Sequence, residues 1–204
     1  GRLAGGLAPA LAAAGLSVVA IASRTSASAR RIAMRIPACS VLNAQQTADR
    51  SELVFITTPD DFISTIAGKL RWRAGQAVVH CSGATEMAAL EAAAAAGAAT
   101  GGFHPLQTFT GPEAALASLA GCTISLETED EALLRMLQEL AAALGCRSIR
   151  LPAGCRARYH ASGGYASQFV NALMRQATDI WKTFGIAEED AVQPIADDQR
   201  CLCL

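Results

Sequence analysis

Leu53-Val54-Phe55-Ile56-Thr57-Thr58-Pro59-Asp60-Asp61 is the stretch that decides the fold class. Its first five residues are apolar or β-branched, with no polar alternation, as in a strand covered on both faces. Pro59 stops the strand, and the acids after it suit the first turn of a helix running to about Leu70. The same grammar recurs on either side. Ser17–Ala22 reads as a strand, Ser23-Arg24-Thr25-Ser26 as a turn, and 27–36 as a helix capped by Ser26. Gln76–His80 is a strand that ends in Cys81-Ser82-Gly83, followed by an alanine-rich helix over about 86–96. Ala98–Phe103 returns as a strand ending in His104-Pro105. Strands alternating with helices give an α/β domain with a largely parallel sheet.

A weaker set follows, with strands near 122–126 and 147–151 around a helix over 129–144 that carries acids in its first turn and stops at Gly145. Residues 155–184 then read as one long helix, bent or broken at Gly163-Gly164. The boundary falls near Pro152, giving a sheet domain over 1–152 and the start of a helical domain over 153–204. More helices are expected after Asp190, so the second domain reads either as truncated or as continuing in residues that the sequence omits. The apolar surface this leaves predicts a homodimer through the helical part.

Composition narrows the function. Of 204 residues 44 are alanine and only 5% are aromatic, so elements pack through small side chains. The net charge of -1 excludes a broad nucleic-acid surface. No apolar run has the length of a membrane span. Seven cysteines, odd in number and without zinc-knuckle spacing, read mostly as buried thiols in a reducing, cytoplasmic compartment and assign no metal. No signal peptide is expected from the opening residues, and the missing initiator Met is read as a trimmed or partly unobserved N-terminus.

The opening Gly1-Arg2-Leu3-Ala4 matches the last two fixed places of a dinucleotide fingerprint, with the first strand and first glycine expected ahead of it. There glycine lets the backbone approach a pyrophosphate at a helix N-terminus, and alanine lets the helix lie close to the sheet. An NAD site carries an acid at the end of the next strand. This chain has Ser23-Arg24-Thr25 instead, and Arg24 suits a 2′-phosphate, so NADP is the expected cofactor. Gly1, Arg2, Leu3, Ser23, Arg24 and Thr25 are its candidate ligands at this end. Thr57, Thr58, Pro59 and Ser82, at two further strand ends, are candidates at the nicotinamide end.

His104 is the first candidate for an acid or base, since it stands at a strand end, is fixed by Pro105, and titrates near neutrality. On the long helix His160, Gly164, Ser167 and Asn171 form one stripe at 100° per residue, with His160 as the second proton-transfer candidate. Gln107, Ser167 and Asn171 are candidate substrate ligands. Each has a plainer alternative: a capping acid for Asp60 or Asp61, a buried thiol for Cys81, a turn histidine for His104, a helix contact for the stripe.

Together, Gly-Arg-Leu-Ala, Ser-Arg-Thr, Thr-Pro-Asp-Asp, Val-Val-His-Cys-Ser-Gly-Ala and Phe103-His104-Pro105-Leu106-Gln107-Thr108-Phe109 resemble a group of Rossmann-like oxidoreductases. In that group a helical domain of unknown function follows, and Tyr159-His160-Ala161 resembles its start. The group is similar to the F420-dependent NADP reductases, pyrroline-5-carboxylate reductases, prephenate dehydrogenases and β-hydroxyacid dehydrogenases. The resemblance implies hydride transfer between NADP(H) and a small carbonyl, imine or hydroxyacid. Departures are Ser167 where the β-hydroxyacid dehydrogenases carry Lys, Ala161 where prephenate dehydrogenases carry Asp, and Gln168 for Asn. The alternatives are a nucleotide-binding regulatory or structural dimer without turnover, and a nucleophilic hydrolase, which lacks a Gly-x-Ser-x-Gly elbow.

Overall fold

The computed structural model describes residues 1–107, 119–187 and 190. Thr108 and Phe109 of the His-Pro motif, and Cys201 and Cys203, lie outside the described residues. The chain divides into two compact units, Gly1–Ala157 and Arg158–Leu204.

The first unit opens with α1 (Arg2–Ala13) and continues through β1 (Ala20–Ile21), α2 (Ser26–Ala33), β2 (Ser40–Val41), α3 (Ala44–Arg50) and β3 (Leu53–Ile56). A 3-10 turn, Asp60–Phe62, leads into α4 (Ile63–Lys69), and β4 (Ala77–His80), α5 (Glu91–Ala95) and β5 (Ala99–Pro105) follow. Then come β6 (Thr123–Glu127), α6 (Glu131–Ala143) and β7 (Arg147–Arg150). One sheet runs β3-β4-β5-β6-β7, and β1 and β2 pair separately. All pairs are parallel except β5 with β6.

Helices cover both faces of the large sheet. On one, Leu7 and Leu11 of α1 and Leu133 and Leu137 of α6 pack on Val79, Phe103 and Leu126. On the other, Ile63 and Ala67 of α4 and Ala93 of α5 pack on Ile56 and Val78. Consecutive residues Val78 and Val79 thus serve opposite cores, which is why β4 reads as an unbroken apolar run.

One local detail differs from the sequence reading. Thr25, not Ser26, caps α2: its Oγ1 accepts from the Ser28 amide, three residues on, while Ser26 is already helical. Pro9 lies inside α1. Its missing N–H leaves the Gly5 carbonyl without its helical partner, and Arg35 donates to that oxygen at 3.3 Å.

The second unit is helical. Following α7 (Arg156–Gly164), Tyr165–Phe169 forms a π-helical turn, and α8 spans Val170–Thr183. The expected break at Gly163-Gly164 is therefore a change of helical pitch just after the pair. Tyr165, Phe169, Leu173, Ile180 and Phe184 are exposed. Among the described residues no helix is long and apolar enough to cross a membrane, and no cluster of His, Cys, Asp or Glu is placed to hold a metal ion.

Candidate functional site

The site builds up from the ends of the parallel strands. Gly1, the N-cap of α1, lies against the end of β3, where a Cβ on it would stand 3.5 Å from the Thr57 carbonyl oxygen. No side chain caps α1, so the amides of its first turn, from Arg2 and Leu3 onward, are not met by a capping group. Ser23 and Arg24 are exposed in the turn after β1. Ser23 lines a cleft of about 450 Å³ with Ser26, Arg30, Asn43 and Gln46. Thr25 is spent on its cap, donating to Ser28 Oγ and accepting from the Ser28 amide. Thr57 and Thr58 are half-buried and Pro59 is exposed.

At the end of β4 every polar group of Ser82 is engaged. Its hydroxyl donates to Asp60 Oδ2 at 2.6 Å and accepts from the amides of Ala84 and Thr85. Its amide donates to His80 Nδ1 at 3.3 Å, and its carbonyl accepts from Arg156 Nη1 at 2.7 Å. Ser82 is therefore the hub that fixes the turn, rather than a free hydroxyl facing a ligand.

Arg156 is the largest fully buried side chain among the described residues, and the sequence reading passed over it. Its Nε pairs with the Glu127 carboxylate. Its Nη2 lies 1.6 Å from where a Cβ on Gly102 would be, so the guanidinium fills the notch left by that glycine. Strand register explains the assembly: His80 faces Gly102, and Gly102 faces Glu127. One row across three strands thus presents an imidazole, a guanidinium and a carboxylate on one face.

Burial and the nearby Arg156 charge push His80 down to about 4, with Asp60 pulling the other way and His104 adding to the fall. His80 is neutral at physiological pH, and His104 is near enough to act on it. His104 is half-buried, and its carbonyl accepts from Ser125 Oγ. Burial raises the Glu127 carboxyl, against the pull of Arg156. Burial also pushes the Cys81 thiol up to about 12, which leaves the hydrolase alternative without a thiolate.

The structure thus gathers Gly1 with Thr57, and Ser82 with Asp60, His80 and Arg156. Gln107 is exposed just past β5. His160, Ser167 and Asn171 belong to the second unit. There Ser167 Oγ donates to the Gly163 carbonyl at 2.9 Å, and the π turn between His160 and Asn171 interrupts the even spacing that put them on one stripe. The sequence signal for Arg156 was the pair Gly101-Gly102 inside a strand, since a strand glycine marks the close approach of another group.

Residues 1–105, just over half of the chain, match the Rossmann-like domain family. The chain belongs to this Rossmann-like family. Residues 122–200 match a domain of unknown function, DUF2520. No curated protein matches the chain significantly. Among solved structures this Rossmann-like protein is similar to BF3122 of Bacteroides fragilis, a proposed NADP oxidoreductase, at 21% identity and a TM-score of 0.77, over 99% of this chain and 77% of that one. Protein TM1727 of Thermotoga maritima is 23% identical with a TM-score of 0.69, over 97% and 76% of the two chains. The reductive aminase of Aspergillus terreus, solved with NADPH and ethyl levulinate, is 14% identical with a TM-score of 0.78, over 99% and 70%. At such identities the likeness is one of fold. That fold is an N-terminal Rossmann-like domain followed by a mostly helical C-terminal one.

Proposed function

We propose that this Rossmann-like protein is an NADP(H)-dependent oxidoreductase acting on a small carbonyl, imine or hydroxyacid, and that it works as a homodimer through its helical part. The observation that carries the reading is a set of buried polar atoms with no hydrogen-bond partner among the described residues. Thr58 Oγ1, His80 Nε2 and Arg156 Nη2 are such atoms, and all belong to the strand-end assembly. Buried polar groups are nearly always satisfied, so these strand-end atoms suit a ligand that supplies the missing partners.

The residues fit NADP(H). The uncapped first turn of α1, with Gly1, Arg2 and Leu3, suits a pyrophosphate. Ser23 and Arg24, beside the cleft that Arg30 lines, suit a 2′-phosphate. Thr57, Thr58 and Pro59 suit the nicotinamide end, where the turn held by Ser82 is rigid. When bound, the cofactor supplies the hydride. His104, which is near enough to act on His80, is the first proton carrier. Gln107, Ser167 and Asn171 hold the substrate, and His160 is the second proton carrier. The exposed stripe of Tyr165, Phe169 and Leu173 supports the dimer.

An Arg24→Ala variant tests the cofactor assignment. Loss of a charge-assisted phosphate contact is expected to weaken NADPH about 10- to 100-fold in calorimetric titration while leaving NADH unchanged. Equal weakening of both nucleotides would refute the 2′-phosphate role.

A further inference from the structure

We propose that His80 and Arg156 together form a pocket for the carbonyl oxygen of the substrate, an inference that rests on the oxidoreductase reading and narrows its substrate to the carbonyl–alcohol couple. His80 Nδ1 accepts from the Ser82 amide, which places the ring proton on Nε2. That Nε2–H is buried and makes no hydrogen bond among the described residues. Arg156 spends Nε on Glu127 and Nη1 on the Ser82 carbonyl, and its Nη2 makes none either. The two side chains are wholly buried and are neighbours by register. Gly102 is the Cα partner of His80, and Nη2 occupies the position of its absent Cβ. Adjacent strands lie about 4.8 Å apart, so the two residues are neighbours across one row of the sheet.

Two donors without acceptors call for an oxygen with lone pairs. Glu127 already pairs with the guanidinium and Asp60 acts on His80, so a further carboxylate meets like charge. A protonated imine brings a positive charge against Arg156 and has no lone pair to offer. A neutral carbonyl oxygen offers two, and it becomes negative as its carbon is reduced. Donors fixed in advance in a water-free site stabilise that charge most. Arg156, held by Glu127, Ser82 and the Gly102 notch, and His80, held by Ser82, are such donors.

The test uses the full chain loaded with NADP⁺, with carbonyl-¹³C acetone as the probe and isotope-edited infrared spectroscopy as the readout. Pyruvate and 1-pyrroline are run as comparison arms. The expected result is a bound acetone carbonyl stretch at lower frequency than in water, with 1-pyrroline binding more weakly. Arg156→Lys keeps the positive charge but removes the fork, and His80→Phe removes the Nε2 donor. Each is expected to weaken acetone at least tenfold without altering NADP⁺ affinity. An unshifted stretch in the wild-type protein, leaving only a water between the donors, overturns the inference while leaving the oxidoreductase reading intact. Tighter binding of pyruvate or 1-pyrroline than of acetone also overturns it. Failure of NADP⁺ to bind at all defeats the reading itself.

Discussion

Replacing Gly102 by alanine is expected to cost the first unit about 3–5 kcal/mol of stability, far more than a glycine-to-alanine change in a strand ordinarily does. The reason is space rather than backbone freedom. The new methyl would sit 1.6 Å from Arg156 Nη2 and 2.5 Å from its Cζ, so the guanidinium must leave. Arg156 cannot leave cheaply. It is fully buried, and its departure breaks the bonds to Glu127 and to the Ser82 carbonyl. Glu127, itself only 4% exposed, is then a buried carboxylate with no counter-charge. Urea unfolding of the variant beside the wild-type protein checks this. A loss below about 1 kcal/mol would show that the guanidinium moves aside freely and that the notch is not a constraint.

Acidification is expected to remove about 3 kcal/mol between pH 6.5 and pH 4. His80 takes a proton near 6.5 when unfolded but only near 4 in the folded chain. Between those values the unfolded state holds more protons, so stability falls as pH falls. Above 6.5 neither state is protonated there and the contribution is complete. Thermal melts from pH 7.5 to pH 4.5 are expected to show this slope in the wild-type protein, and a shallower one in His80→Phe. The His80 ring resonance gives a second check in the unaltered protein, where it is expected to stay in its neutral position until near pH 4. Titration near 6.5 would mean that the imidazole is solvated and not walled in by Arg156.

Much of this was legible in the sequence, for definite reasons. β3 and β4 were readable because parallel strands covered on both faces carry unbroken apolar runs. The strand-end residues followed from the rule that ligands bind beyond the carboxyl ends of such strands. Thr57, Ser82 and His104 were singled out this way. Arg156 was not, because it falls in the first turn of the helix read over 155–184 and its burial depends on a notch some 50 residues away in sequence. His80 was read as part of a motif only, since its neutrality comes from burial and from Arg156. The antiparallel β5–β6 pairing has no signature in the strands themselves, and the π turn at Tyr165–Phe169 none in its side chains. The cap on α2 shifted by one residue because Thr25 and Ser26 are both competent and only the backbone decides.

The central claim is that the strand ends of the first unit hold NADP(H). Amide hydrogen exchange of the full chain, with and without saturating NADPH, tests it most directly. Slower exchange is expected in the peptides covering Arg2–Gly5, Ser23–Ser26 and Thr57–Asp60. No change in any of the three, or protection confined to the second unit, would contradict it.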